Sequence, residues 1–343
     1  MKIQKKSITR LFAITLSIAA VSSESFARDN IQVVGSSTVY PFTTVIAEEF
    51  GNNTKYRTPI IESTGTGGGM KLFCSGVGTN YPDLSNASRT IKKSELAKCK
   101  KNKVTPVEIK IGYDGIVLAN AISGKSYALT KQEIFLALAA EIPSKDNSKL
   151  IANPHKKWSD INNKLPSIKI AVYGPPPTSG TRDAFVELVM EGPCKDLNAF
   201  KNTYANSKTR KKKCHILRND GHFIEAGEND NLIVQKLKNN SEAFGIFGFS
   251  FLEENRHVVK SVKINNTFPT FENIVNGSYP ISRPLFIYYK KENLNIVPGV
   301  KEFIQEIISE NTLGGEGYLM QRGLIPLTDL ELKKVRDKIT KTL

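Results

Sequence analysis

Three times in this chain a short run of strand-type residues breaks into a cluster of Gly, Ser and Thr, then into apolar residues at helical spacing. The first is Ile31-Gln32-Val33-Val34, followed by Gly35-Ser36-Ser37-Thr38 and then by Phe42, Val45, Ile46 and Phe50. In the second, Thr58 to Ser63 leads through Thr64-Gly65-Thr66-Gly67-Gly68-Gly69 to Met70, Phe73 and Val77. The third runs from Ile168-Lys169-Ile170-Ala171-Val172-Tyr173 through the rigid turn Gly174-Pro175-Pro176-Pro177 into Thr178-Ser179-Gly180-Thr181-Arg182-Asp183. Ala184, Phe185, Leu188 and Val189 then predict a helix starting close to Ser179. The first turn of a helix has unpaired N–H groups and a partial positive charge, so each junction aims donors at one point, where an oxyanion fits. A single Ser-Gly-Thr start is most simply an N-cap. Three of one kind point to a shared task, and strands alternating with helices imply α/β layering with largely parallel sheets.

The glycines from Gly65 to Gly69 let the backbone approach a small ligand closely. The stretch lacks the Gly-Lys-Ser/Thr ending of a P-loop and the spacing of a dinucleotide fingerprint. Arg182 would add a charge-assisted bond to a dianion if it turns inward. Between the strand-like segments of Val107 to Asn120 stands Tyr113-Asp114-Gly115, whose carboxylate must turn outward or find a partner. Further along, a helix is expected near Ser94, and Thr130-Lys131-Gln132-Glu133 is a capping box opening another. Helical spacing recurs at Leu232 to Leu237 and at Phe303, Ile304, Ile307 and Ile308. Strands are expected at Ala243 to Phe249 and Leu285 to Tyr289, and Gly323 to Leu327 is expected to end the folded part.

The N-terminus is of another kind. Lys2, Lys5, Lys6 and Arg10 form a basic head, Leu11 to Val21 is apolar but too short to span a bilayer, and Ser25-Phe26-Ala27 suits cleavage. Residues 1–27 therefore read as a secretory signal peptide. Export implies an oxidising compartment, in which Cys74–Cys99 and Cys194–Cys214 are the economical pairing among three possible ones. The formal charge is +15, and removing Lys2, Lys5, Lys6, Arg10 and Glu24 leaves +12, which favours anionic partners. The densest basic run, Thr209-Arg210-Lys211-Lys212-Lys213, reads as a solvated loop, and without interleaved aromatics it is no nucleic-acid surface.

These motifs taken together resemble the periplasmic phosphate-binding proteins of bacterial ABC transporters. The matching pieces are Gly35-Ser36-Ser37-Thr38-Val39-Tyr40-Pro41, Gly65-Thr66-Gly67-Gly68-Gly69, Ala87-Ser88-Arg89, Tyr113-Asp114-Gly115 and Ser179-Gly180-Thr181-Arg182. The resemblance implies an α/β fold of the type II periplasmic binding protein class. Such a fold is a two-lobed Venus flytrap, each lobe a mostly parallel sheet flanked by helices, joined by two crossover strands. Residues 28–120 with 283–343 would form the first lobe and residues 121–282 the second. The phosphate-binding set so implied is Ser37, Thr38, Val39, Thr66, Ser88, Arg89, Asp114, Ser179, Gly180, Thr181 and Arg182. Some family members carry an aspartate where Arg89 falls and an arginine where Pro175 falls, so here Arg89 and Arg182 are expected to supply the positive charge. Asp114 is the expected acceptor of the phosphate proton, with Asp220 and Glu225 as alternatives. The implied partners are inorganic phosphate and the membrane permease subunits of a phosphate ABC transporter. No cofactor or metal is implied, and the protein is expected to be a periplasmic monomer.

Two other readings have less behind them. A secreted hydrolase would need a base beside Ser179 or Ser88, yet His155, His215, His222 and His257 have no motif context and Ser179 lacks a G-x-S-x-G setting. A binding protein for sulfate, molybdate or a phosphonate would share the helix-start chemistry.

Overall fold

The computed structural model describes residues 28–227 and 229–343, so the expected signal peptide lies outside the described residues. A nine-stranded sheet runs through the molecule. Its order is Ile60–Ser63, Gln32–Gly35, Leu84–Ala87, Ser282–Lys290, Pro106–Ala121, Phe244–Gly248, Val172–Gly174 and Phe223–Glu225, with Val259–Ser261 also on the Pro106–Ala121 strand. Gln32–Gly35 pairs in parallel with both of its neighbours, and Val172–Gly174 does the same at the other end. The antiparallel pairs of this sheet all involve Pro106–Ala121 or Ser282–Lys290. The sheet is therefore mixed. Parallel pairing belongs to the strands proper to each half, and antiparallel pairing to the two strands that connect them.

Pro106–Ala121 links the two halves of the sheet. Its first part, to Gly115, pairs with Ser282–Lys290, whereas Ile116 to Ala119 pair with Phe244–Gly248. The partner change falls between Gly115 and Ile116, one residue beyond Asp114. The two segments read from the sequence thus form one continuous strand of 16 residues that passes from one half of the sheet into the other. Among the described residues no helix is long and apolar enough to cross a membrane.

Each expected junction is present. The strand Gln32–Gly35 leads to the helix Tyr40–Asn53 with Pro41 in its first turn, and Ile60–Ser63 leads to Thr66–Phe73. Val172–Gly174 leads to a helical run over residues 180–195, whose middle turn, Val186–Met190, is π-helical. The capping box at Thr130 and Glu133 opens the helix Lys131–Leu138. Both disulfides form, Cys74 with Cys99 and Cys194 with Cys214. The first lies in a small satellite core with Met70, Phe73, Phe286 and Tyr288, under the Thr66–Phe73 helix.

Two expectations fail. The basic run is not a loop but the exposed helix Ser207–Cys214, because the Asn206 side chain caps Lys208 and Thr209 and Cys214 ties its last turn to Cys194. The folded part also continues past Leu327, into the helix Asp329–Thr340. A Thr328–Glu331 capping box opens that helix, and Leu332 and Ile339 bury its inner face.

Candidate functional site

The first lobe contributes two helix starts with little side-chain capping of their own. Thr38 is nearly buried, and its hydroxyl caps nothing; instead it accepts a 2.7 Å bond from Arg283 Nη2. Val39 is buried in the core, so only its backbone N–H can face a ligand. Thr66 begins its helix after Gly65, and its hydroxyl accepts the Ser88 N–H at 3.1 Å and stands 3.1 Å from Ser88 Oγ. Arg89 lies beside them, its fork held by both oxygens of Glu95 at 2.8 and 2.9 Å.

The second lobe answers with Ser179, whose hydroxyl accepts the Thr181 N–H at 3.2 Å and so is the ordinary cap the sequence allowed. A Cβ placed on Gly180 would stand 3.5 Å from Thr38 Cα, which puts the two helix starts in contact across the cleft. Beside that contact Ser37 donates to Asp183 at 2.5 Å.

Thr38, Asp114, Ser179, Gly180 and Thr181 line one cavity of about 440 Å³, together with Arg322. Thr66, Ser88 and Arg89 line a neighbouring cavity of about 510 Å³ with Lys92, Glu187, Lys211 and Arg283. Both are walled by residues of the two lobes, and the Arg283–Thr38 bond joins their walls.

Arg283 is the charge the sequence reading missed. It lies on the second crossover strand directly opposite Asp114 on the first, so the two side chains share a face of the sheet. Its guanidinium is 8% exposed and is surrounded by Thr38, by Glu187 at 2.6 Å and by Asp114 at 3.5 Å. Asp114 Oδ2 and Arg283 Nε are buried with no hydrogen-bond partner. Burial pushes the Asp114 carboxyl above its ordinary value, with Arg283 pulling it down and Glu187 raising it further. The residue thus faces the partner its position required, through an oxygen that makes no hydrogen bond.

Arg182 is not brought to either cavity. It donates to the Pro175 carbonyl at 3.0 Å, lies 3.6 Å from Glu225 and covers the Phe223 ring, so it turns away from Thr38. Glu225 and Asp220 are likewise absent from the cavity walls, Asp220 being gripped by Arg218 at 2.6 and 2.8 Å. None of the four histidines lines these cavities, and among the described residues no cluster could hold a metal.

Comparison with known proteins gives a consistent picture. Residues 20–311 match the family model described as a PBP superfamily domain. The chain is 31% identical to protein SphX of Synechococcus elongatus over 84% of its own length and 78% of the relative's. It is also 31% identical to the phosphate-binding protein PstS of Staphylococcus saprophyticus, over 82% and 76% of the two chains. A possible phosphate binding protein from Planctomyces limnophilus superposes with a TM-score of 0.74 at 28% identity, over 92% of this chain and 98% of that one. PstS from Borrelia burgdorferi, at 16% identity and a TM-score of 0.59, covers 88% of this chain and all of its own, and shares the fold.

Proposed function

The chain belongs to the PBP superfamily, and from that membership we propose that it binds inorganic phosphate between its lobes and delivers it to an ABC transporter permease. One observation carries the reading. The helix starts at Thr38 and at Ser179 to Thr181, from opposite lobes, meet beside a buried arginine and a half-buried carboxyl. The helix starts offer N–H groups and hydroxyls, Arg283 offers charge, and Asp114 offers an acceptor. The proposed ligand groups are Thr38, the Val39 N–H, Thr66, Ser88, Ser179 to Thr181, Arg283 and Asp114, with Arg89 at the rim.

The acceptor explains selectivity. Near neutral pH phosphate keeps at least one hydrogen and sulfate has none, so a carboxylate can accept from the first and only repel the second. Magnitudes are adequate. Hydrogen bonds to charged groups net about 1.5–3 kcal/mol each, and four or five cover the roughly 8 kcal/mol of a micromolar site. Closure would bend the chain where Pro106–Ala121 and Ser282–Lys290 pass between the lobes, and the closed form is what a permease recognises. We assign the division of the lobes to that crossing. We further assign secretion into the periplasm, a monomeric state, and binding rather than catalysis.

Calorimetric titration with phosphate, arsenate and sulfate tests this. The expected result is one site, micromolar or tighter, for phosphate and arsenate, with sulfate far weaker. Equal binding of sulfate, or no binding of phosphate, would overturn it.

A further inference from the structure

Glu187 stands where an anion would stand. Its carboxylate is 2.6 Å from Arg283 Nη1 and 3.9 Å from Lys211 Nζ. The ion pair with Arg283 joins the second lobe to the crossover strand, and the cavity against which it lies is also walled by Thr66, Ser88 and Arg89. The two partners differ in freedom. Arg283 is 8% exposed and fixed by Thr38, whereas Glu187 is 41% exposed and lies on the π-helical turn Val186–Met190. Such turns recur at functional sites. Asp114 already faces the same guanidinium. A phosphate that reached Arg283 with both carboxylates in place would be the third anion around one cation, and like charges at that distance in a partly dry cleft are strongly unfavourable.

We propose that Glu187 is an internal competitor for the anion site: it occupies Arg283 in the ligand-free protein and swings toward Lys211 and solvent when a tetrahedral oxyanion takes its place. The proposal rests on the oxyanion-binding reading above. It makes Glu187 a brake on affinity, unlike a ligand, whose removal weakens binding. Since the carboxylate must leave Arg283 whichever anion arrives, the brake lowers the affinity of every ion that needs this guanidinium by one common factor.

The test is titration of wild type, Glu187→Gln and Glu187→Ala with phosphate, arsenate and sulfate in low-chloride buffer, with melting curves to show that each is folded. Both variants are expected to bind the preferred ion about tenfold tighter. Affinity unchanged or weakened in both overturns the proposal. If neither variant folds, the Glu187 carboxyl-carbon NMR signal of the wild type decides: a shift on saturation with the preferred ion supports the displacement, and an unmoved signal refutes it. A wild type that prefers sulfate sinks the phosphate reading but leaves the tenfold gain to be read with sulfate. Binding of none of the three overturns both.

Discussion

Arg283 donates to the hydroxyl of Thr38 at 2.7 Å, a bond between residues 245 positions apart in the chain. It brings the last connecting strand against the first helix start, and it fixes the guanidinium at the seam of the two cavities. Arg283→Gln should weaken phosphate binding by 10- to 100-fold, corresponding to the loss of about 1.5–3 kcal/mol for one charged hydrogen bond. Arg283→Lys should recover little, because a point charge cannot reach Thr38 and an anion at once. Calorimetry on the two variants checks this, and equal affinity for wild type and the glutamine variant would remove Arg283 from the site.

Asp114→Asn should weaken phosphate binding and narrow the gap to sulfate, since an amide can donate to an ion that has no proton. A pH signature accompanies it. Burial raises the Asp114 carboxyl above 3.8, so the folded protein holds that proton more tightly than the unfolded chain does. Its contribution to stability is therefore fully present below 3.8 and declines as pH rises through the raised value. Melting temperature against pH should show that decline in wild type and not in the variant. Unchanged selectivity would move the acceptor role elsewhere.

What was legible in the sequence was local. Ser179 beside Thr181, Thr130 with Glu133, and the three strand-to-helix junctions each have their cause within a few residues. The fold class follows from their alternation. Arg283 was not legible, because its role depends on the register that sets it opposite Asp114 and on a hydroxyl from the first helix start. Arg182 misled for the same reason: sequence puts it beside Thr181, but the Phe223 ring and the Pro175 carbonyl set its direction. The Ser207–Cys214 helix has five basic residues and no apolar stripe, so periodicity could not reveal it; a side-chain cap and a disulfide hold it.

The C-terminal helix offers a prediction in acid. Glu331 both caps that helix and accepts from Lys110 at 2.8 Å and Tyr113 at 2.6 Å on the crossover strand. Burial alone would raise its carboxyl, but Lys110, Tyr113 and the Thr328 N–H outweigh it and hold the value at about 2. The stability this gives is present above 4.5 and lost as pH falls through about 2. Glu331→Gln should cost about 2 kcal/mol at pH 7, with the difference closing toward pH 2. Denaturant melts at several pH values check it, and a gap that persists at pH 2 would show that charge is not the cause.

Helix Thr66–Phe73 holds Thr66 beside Ser88 only because it packs on the first strand with no side chain between. A Cβ on Gly69 would stand 2.5 Å from Gly35 Cα and 2.9 Å from Ser85 Oγ, both in the buried interior. The strand cannot readily yield, because it is paired on both sides, with Gly35 opposite Ser63 on one neighbour and Asn86 on the other. Gly69→Ala must therefore lift the helix, at about 1–3 kcal/mol of overpacking, and carry the Thr66 hydroxyl away from Ser88. Gly68→Ala, one residue earlier, meets nothing nearer than the Thr64 side chain at 3.5 Å. It should gain up to about 1 kcal/mol from helix propensity. Opposite shifts in melting temperature are the expected result, with phosphate affinity falling in Gly69→Ala. Two variants equally stable would mean that the helix start is not held by this close contact, and Thr66 would lose its claim to a fixed place in the site.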